Sequence, residues 1–259
     1  MLMGSCPVIV LYAFSNMFPG GIGETKDMRV QWALEEMDIP YEVKPLDYLG
    51  GETTTPEFSA ISPFNQVPVL DHDGHVIAES GAILIHLADM SGKLTLPGDL
   101  GRTRVNQWCF AAAATVAPAL SMITMVDAGF MGTDPTARTF LVDLAKRWLT
   151  RVERQLEKHS WITGHDFTVA DIMLVHHLRE IRDTDLLDEF PRTSDVYTRA
   201  LHRPAWQRTR VLTAERLKVE LGAIPPLDLM SEWVGNRHGL SARIATFDHT
   251  ECRVAATGE

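Results

Sequence analysis

A carboxylate and a hydroxyl stand side by side at Glu79 and Ser80, where a predicted strand ends and a predicted helix begins. A helix N-terminus offers free N–H groups and a partial positive charge to a carboxylate, while Glu79 offers its own carboxylate to an ammonium group. The pair is therefore suited to the zwitterion of an α-amino acid. Serine is also a preferred helix cap, so the pair by itself leaves a purely structural role open.

A second candidate site is the Val67-Pro68 dipeptide at the start of a predicted strand. Proline cannot donate to a strand ladder, so its position there needs a reason. A cis bond would turn the N–H and C=O of Val67 outward, toward a peptide-like ligand. An ordinary trans proline at a strand edge explains the residue as well, because only about 5–6% of X-Pro bonds are cis.

Metal and nucleotide chemistry are not indicated by the remaining polar clusters. A zinc site needs three or four converging ligands, and the chain has no His-Glu-x-x-His or Cys-x-x-Cys motif. The Gly20–Gly23 loop lacks the Lys and Ser/Thr that follow a phosphate-binding loop. We therefore expect no metal and no nucleotide, and packed or solvated roles for the paired histidines. These are His72, His75, His176 and His177.

The composition of the chain limits which partners and which cellular compartment we expect. The 259 residues carry 24 Lys and Arg against 34 Asp and Glu, a formal net charge of −10. Such a balance disfavours nucleic acid and anionic membranes as partners. No apolar stretch approaches the length of a membrane span, and no signal peptide is evident. The widely separated Cys6, Cys109 and Cys252 suggest a reduced, cytoplasmic protein without a disulfide framework.

The elements that must position Val67, Pro68, Glu79 and Ser80 form a small α/β unit. The pattern predicts a buried strand at 8–13, an amphipathic helix capped by Thr25, and a second strand at 41–46, which form a parallel pair. A hairpin follows at 67–71 and 75–78 around the Asp73-Gly74 turn, and then a helix from Ser80. We expect a four-stranded mixed sheet that is complete by about residue 90. In the first helix, one apolar face contains Val30, Ala33, Leu34 and Met37.

Beyond a linker at 91–101 the pattern is helical, with no credible strand. Helices are predicted at 103–125 and 135–159, and Pro204 opens another. Thr168 and Asp171 form a capping box at the start of a further helix. The division is an N-terminal domain at 1–92, an all-helical domain at 99–225 and a weakly patterned tail at 226–259.

Five segments together resemble the soluble glutathione S-transferases over about residues 8 to 210. The most specific is NQVPVL, followed eleven residues after Pro68 by Glu79-Ser80. The resemblance implies a thioredoxin-like N-terminal α/β domain and an all-α C-terminal domain that lines the electrophile site. It also implies glutathione as co-substrate and a homodimer. The segments are VLYAF, MRVQWALEEMDIPYEV, PEFSAISPFNQVPVLDHDG, ESGAILIHLAD and FTVADI.

The same resemblance assigns a glutathione site. It implies that Val67 pairs with the cysteinyl backbone of glutathione in the manner of a strand, and that Pro68 is cis. It implies that Glu79 and Ser80 hold the γ-glutamyl end, and that Gln66 touches the tripeptide.

The residue that activates the thiol is ambiguous, because the loop from 14 to 24 is long for this family. The family uses a Tyr, Ser, Cys or sometimes Asn between the first strand and the first helix. Alignment on the strand selects Ser15, which we place first, with Asn16 beside it. Alignment on the helix reaches Glu24, whose carboxylate opposes a thiolate, and Thr25. Tyr12 fits only if its side chain points into the cleft.

The leading hypothesis is a transferase that ionises glutathione and directs its sulfur at an apolar electrophile. A glutathione-dependent reductase, peroxidase or lyase on the same scaffold is the second class. The reductase and peroxidase reactions usually need a cysteine in the first loop, whereas Cys6 precedes the strand. A non-catalytic binding module is the third class.

Overall fold

The sheet of the N-terminal half has four strands in the spatial order β2-β1-β3-β4. In the computed structural model, which describes residues 8–131 and 135–224, these strands are β1 (Ile9–Phe14), β2 (Glu42–Leu46), β3 (Val69–His72) and β4 (His75–Ala78). Strand β1 is parallel to β2 and antiparallel to β3, and β3 is antiparallel to β4. The predicted mixed sheet is confirmed.

The segments of interest lie together at one end of this sheet, where β1 and β4 finish and β3 begins. Tyr12 near the end of β1 is opposite Val69 at the start of β3, and Val69 is opposite Ala78 at the end of β4. Residues 67 and 68, which precede β3, therefore lie beside the residues that follow β4. Helix α3 (Ser80–Ser91) begins two residues after Ala78, at this same end of the sheet.

Helix α1 (Asp27–Met37) lies between the sheet and the helical domain, and its predicted apolar face is buried. The predicted cap is wrong: Lys26 precedes the helix and no side chain caps it, while Thr25 contributes only its carbonyl, which accepts from the N–H of Met28 at 3.2 Å. The polar positions Arg29 and Gln31 are buried as well, because α1 packs against helices as well as against β1. Periodicity does not reveal a polar side chain buried between two domains.

Helix α2 (Pro56–Ser59) is a short turn that follows β2 in the N-terminal half. The first helix of the C-terminal half, α4 (Gly98–Phe110), starts inside the predicted linker, before the predicted helix start at 103. A π-helical stretch at Ala111–Val116 joins α4 directly to α5 (Ala117–Asp127). The resulting 30-residue helix is long and apolar enough to cross a membrane by composition, contrary to the sequence estimate. It packs as a core helix from Val105 to Val126, where buried residues recur along one side.

The central helix of the C-terminal half is α7 (Val169–Leu178), whose residues are all buried. It packs against α1, α3, α4 and α5. The predicted capping box is present there: Asp171 Oδ2 accepts from the N–H of Thr168 at 2.8 Å. Within 103–131 and 135–224 there is no strand, only an isolated bridge between Trp161 and Gly164. The predicted tail at 226–259 lies outside the described residues. The remaining helices are α6 (Pro135–Leu156), α8 (Pro191–Leu201) and α9 (Pro204–Leu217). Helix α8 packs against α7, α6 packs against α5 and α8, and α9 packs mainly against α1.

Candidate active site

The five residues predicted to hold glutathione line one cleft at the end of the sheet described above. They are Gln66, Val67, Pro68, Glu79 and Ser80. The same cleft is also lined by Lys26, Ser62, Phe64 and Ala78, which the sequence analysis did not select. The cleft therefore joins the start of β3, the N-terminus of α3 and the residue before α1.

The Val67–Pro68 bond is cis, as expected from the resemblance. Ser62, which is 1% exposed, positions the chain just before it. Its hydroxyl donates to the carbonyl of Gln66 at 2.9 Å and accepts from the N–H of Gln66 at 2.9 Å. The described residues form no hydrogen bond with the main-chain N–H or C=O of Val67. These two groups are free to pair with an extended peptide.

Glu79 adopts an unusual backbone conformation, with φ 72° and ψ 115°. Residues other than glycine rarely occupy such regions, and when they do the strain is often associated with a functional site. No described residue forms a hydrogen bond or ion pair with its carboxylate, although Glu79 raises the pKa of the buried Arg29 through charge. An acceptor is thus held at the cleft without a protein partner.

Ser80 is the first residue of α3 and is buried, with 5% of its surface exposed. Its Oγ accepts a hydrogen bond from Nη1 of Arg29 at 3.2 Å. Burial lowers the pKa of Arg29 to about 10, so the guanidinium remains charged at neutral pH. The cleft therefore has positive charge behind Ser80 and negative charge at Glu79, which suits a zwitterion.

The two candidates nearest β1 are engaged away from the cleft. The N–H and hydroxyl of Ser15 both donate to the carbonyl of Leu46, at 2.8 and 3.0 Å. The side chain of Asn16 donates to Asp47 Oδ1 at 2.6 Å and accepts from the N–H of Leu49 at 3.0 Å. The bond from Asn16 also lowers the pKa of Asp47. Both residues therefore face the end of β2, on the far side of β1 from Val67.

Thr25 and Tyr12 have different surroundings. Thr25 is half-buried, and its hydroxyl makes no hydrogen bond with the described residues. Thr25 directly precedes Lys26, which lines the cleft. The ring of Tyr12 packs on Phe58, with centroids 6.3 Å apart, and is not among the cleft residues. Sequence reasoning missed Lys26 because an exposed lysine before a helix has no distinguishing pattern. Ser62 could have been found from the turn-forming run Ser62-Pro63-Phe64-Asn65.

The described residues contain neither a group of metal ligands nor an accessible cysteine thiol. Across 8–131 and 135–224 no group of three His, Cys, Asp or Glu side chains could hold a metal. His72 and His86 bond to each other at 2.9 Å, in a packed pair rather than a ligand set. Cys109 is buried in the helical domain, and burial raises the pKa of its thiol to about 12. Cys6 and Cys252 lie outside the described residues.

Two family models match this chain. "Glutathione S-transferase, N-terminal domain" matches residues 20–89, and "Glutathione S-transferase, C-terminal domain" matches residues 122–207. Together they cover more than half of the chain, and they include both the cleft and the capping box.

Relatives with different activities share this similarity. Glutathione S-transferase 1 of Schizosaccharomyces pombe is 29% identical over 203 residues, which are 70% of this chain and 89% of that protein. The disulfide-bond oxidoreductase YfcG of Escherichia coli is 30% identical over 146 residues, which are 54% of this chain and 68% of that protein. A glutathione transferase family member from Pseudomonas fluorescens, solved with two glutathione bound, is 28% identical with a TM-score of 0.65. That alignment covers 78% of this chain and 91% of the other.

Proposed function

This chain belongs to the glutathione S-transferase family, and we propose that it binds glutathione in the cleft between Val67 and Ser80 and transfers its thiolate to an apolar electrophile. The observation that carries the proposal is the convergence of five residues, chosen from sequence, on one cleft. Glutathione offers a matching set of groups: a γ-glutamyl zwitterion, a peptide backbone and a thiol.

The pose follows from complementary chemistry. The γ-glutamyl ammonium meets the carboxylate of Glu79, and the α-carboxylate meets Ser80 and the N–H groups at the start of α3. The cysteinyl N–H and C=O pair with Val67 as an added strand would. Gln66 and Lys26 line the cleft around the rest of the tripeptide, where the Lys26 ammonium can attract a carboxylate or the thiolate.

Activation of the thiol requires a modest amount of stabilisation. A free thiol with a pKa near 8.5 is mostly protonated at neutral pH, and lowering that value by about two units takes about 2.7 kcal/mol. One hydrogen bond to a charged group supplies about 1.5–3 kcal/mol. Of the three candidates we favour Thr25, because Ser15 and Asn16 already bond to the end of β2. Its hydroxyl stands at the positive end of α1.

The reaction transfers the glutathionyl group, bonded through its sulfur, without any redox change. The thiol releases its proton to solvent, and the thiolate attacks the electrophilic carbon. With an aryl chloride, a C–S bond forms and the chloride leaves with the C–Cl bonding pair. The groove beside the cleft that accepts the electrophile is assigned to the helical domain by family likeness.

A glutathione-dependent disulfide reductase is the second candidate, favoured by the likeness to YfcG. A mechanism through Cys109 is poorly supported, because that thiol is buried and has a raised pKa. We further propose a homodimer in the cytoplasm, in keeping with the family.

The test measures thiolate formation and turnover together. The ultraviolet absorbance of bound thiolate is titrated against pH, and conjugation is followed with 1-chloro-2,4-dinitrobenzene. We expect a thiolate signal near neutral pH in the wild type, a higher apparent pKa and lower kcat in Thr25→Val, and little change in Ser15→Ala. Glutathione binding without ionisation or turnover would favour a binding module. A shift in Ser15→Ala instead of Thr25→Val would return the role to Ser15.

A further inference from the structure

A buried cation without a carboxylate partner lies directly behind the cleft. Arg29 on α1 is 2% exposed, and its recorded partners are a hydroxyl, a thioether and two imidazoles. None of the described residues forms an ion pair with it, and its Nε has no hydrogen-bond partner. A buried charge without a directly paired counter-ion is costly, so an arrangement that retains one calls for an explanation.

The two imidazoles act as acceptors for this guanidinium. Nδ1 of His177 lies 2.9 Å from Glu180 Oε1, and because a carboxylate only accepts, Nδ1 carries the hydrogen. The other ring nitrogen, Nε2, then accepts from Arg29 Nη1 at 3.3 Å. Nδ1 of His176 likewise accepts from Nη2 at 3.1 Å. Burial lowers the pKa of both histidines, to about 4 for His177, which keeps the rings neutral.

This arrangement determines how Ser80 can bond. A hydroxyl has one hydrogen to donate and two lone pairs that accept. Arg29 Nη1 already donates to one lone pair of Ser80 Oγ, so the single O–H hydrogen is left for the cleft. A donor facing the ligand, supported from behind by a positive charge, is selective for an anionic oxygen.

We propose that Arg29 is a positioning residue that makes the cleft specific for the free α-carboxylate of the γ-glutamyl group, acting through Ser80 and held in place by His176 and His177 of α7. The inference rests on the proposed glutathione site. It adds that the helical domain supplies two side chains on which carboxylate recognition in the other domain depends.

A pair of ligands separates this role from a merely structural one. Glutathione is compared with its analogue in which the α-carboxylate of the γ-glutamyl residue is a primary amide, and both Kd values are measured by calorimetry. The two ligands are otherwise identical. A variant that only loosens the cleft weakens both, whereas loss of carboxylate recognition weakens glutathione alone.

We expect the wild type to prefer glutathione over the amide by about tenfold or more, as one charge-assisted hydrogen bond would give. In Arg29→Met this preference falls close to unity while the Kd for the amide stays within about threefold. Arg104→Met, which alters an exposed arginine on α4, retains the wild-type preference.

Three outcomes overturn the inference. Equal losses for both ligands in Arg29→Met indicate a structural role, and a wild type without preference removes carboxylate recognition. A wild type that binds neither ligand overturns the proposed function itself. If Arg29→Met shows no cooperative thermal transition, Arg29→Gln, whose amide can still bond to the histidines, is judged by the same ratio.

Discussion

The carboxylate of Glu79 is held at the cleft by a strained backbone rather than by hydrogen bonds. Its φ of 72° places a residue with a side chain where glycine is favoured, at a cost of about 1–3 kcal/mol. No described residue bonds to the carboxylate, so the strain is not offset by contacts within the chain. Its advantage is the placement of a negative charge beside Ser80.

Glycine at position 79 separates stability from binding. We expect Glu79→Gly to abolish useful glutathione affinity, because the ammonium group loses its partner, and to raise the thermal midpoint by a few degrees, about 1 kcal/mol after the entropy of glycine is counted. Calorimetry with glutathione and a thermal melt of the free protein measure the two effects. Glu157→Gln, at an exposed residue just after α6, serves as the control for charge. A lower midpoint in Glu79→Gly would remove the strain from the explanation.

Individual site residues could be predicted from the sequence where their chemistry depends on residues next to each other in the chain. Val67-Pro68 and Glu79-Ser80 could be selected because each is a dipeptide whose types suit one ligand group. Arg29 could not, since its partners Ser80, His176 and His177 are 51, 147 and 148 residues away. The choice among Ser15, Asn16 and Thr25 also depended on the path of a loop that residue types do not determine.

Helix α7 is the element most sensitive to pH, because it buries two neutral histidines against Arg29. The pKa of His177 is lowered to about 4 by burial and by the charge of Arg29, and that of His176 is lowered well below its usual value. The unfolded chain takes up these protons below about pH 6.5, whereas the native state does not. This contribution to stability is complete above pH 6.5 and is lost as the pH falls toward 4.

We therefore expect His177 alone to lower the free energy of unfolding by about 3 kcal/mol between pH 6.5 and 4. Asp171 of the same helix acts in the opposite direction, because burial raises the pKa of its carboxyl to about 6. Thermal midpoints of the wild type, His177→Gln and His75→Gln between pH 7.5 and 4.5 measure the effect. His75 is the control because it is exposed at the hairpin turn. The decrease should be smaller in His177→Gln than in the other two. Parallel pH profiles for all three proteins would show that His177 contributes nothing.

Elements were predictable where one local signal determined them. The Asp73-Gly74 hairpin and the Thr168–Asp171 capping box follow from side chains a few residues apart, and both are present. The start of α4 at Gly98 was missed because the first turns carry mainly exposed polar residues. The π-helical stretch at Ala111–Val116 depends on packing against α7, which no local pattern reveals.

Exposed apolar side chains on α4 offer a surface that a second copy of the chain could cover in solution. Leu100 is 87% exposed and Phe110 67% exposed, although single exposed residues are common in monomers. We expect a homodimer of about twice the 28.9 kDa chain mass by sedimentation equilibrium at micromolar concentration. Phe110→Asp should shift this mass toward the monomer, whereas Phe140→Asp on α6, a residue of similar exposure, should not. A wild-type mass near 28.9 kDa would contradict the dimer.

The central claim is that glutathione occupies the cleft between the start of β3 and the N-terminus of α3. A crystal structure of the protein grown with saturating glutathione tests it most directly. We expect the γ-glutamyl carboxylate within hydrogen-bond distance of Ser80 Oγ, the ammonium group beside Glu79, and the cysteinyl backbone paired with Val67. Glutathione found elsewhere, for example in the separate groove lined by Tyr41 and Arg216, with the cleft empty, would contradict the claim.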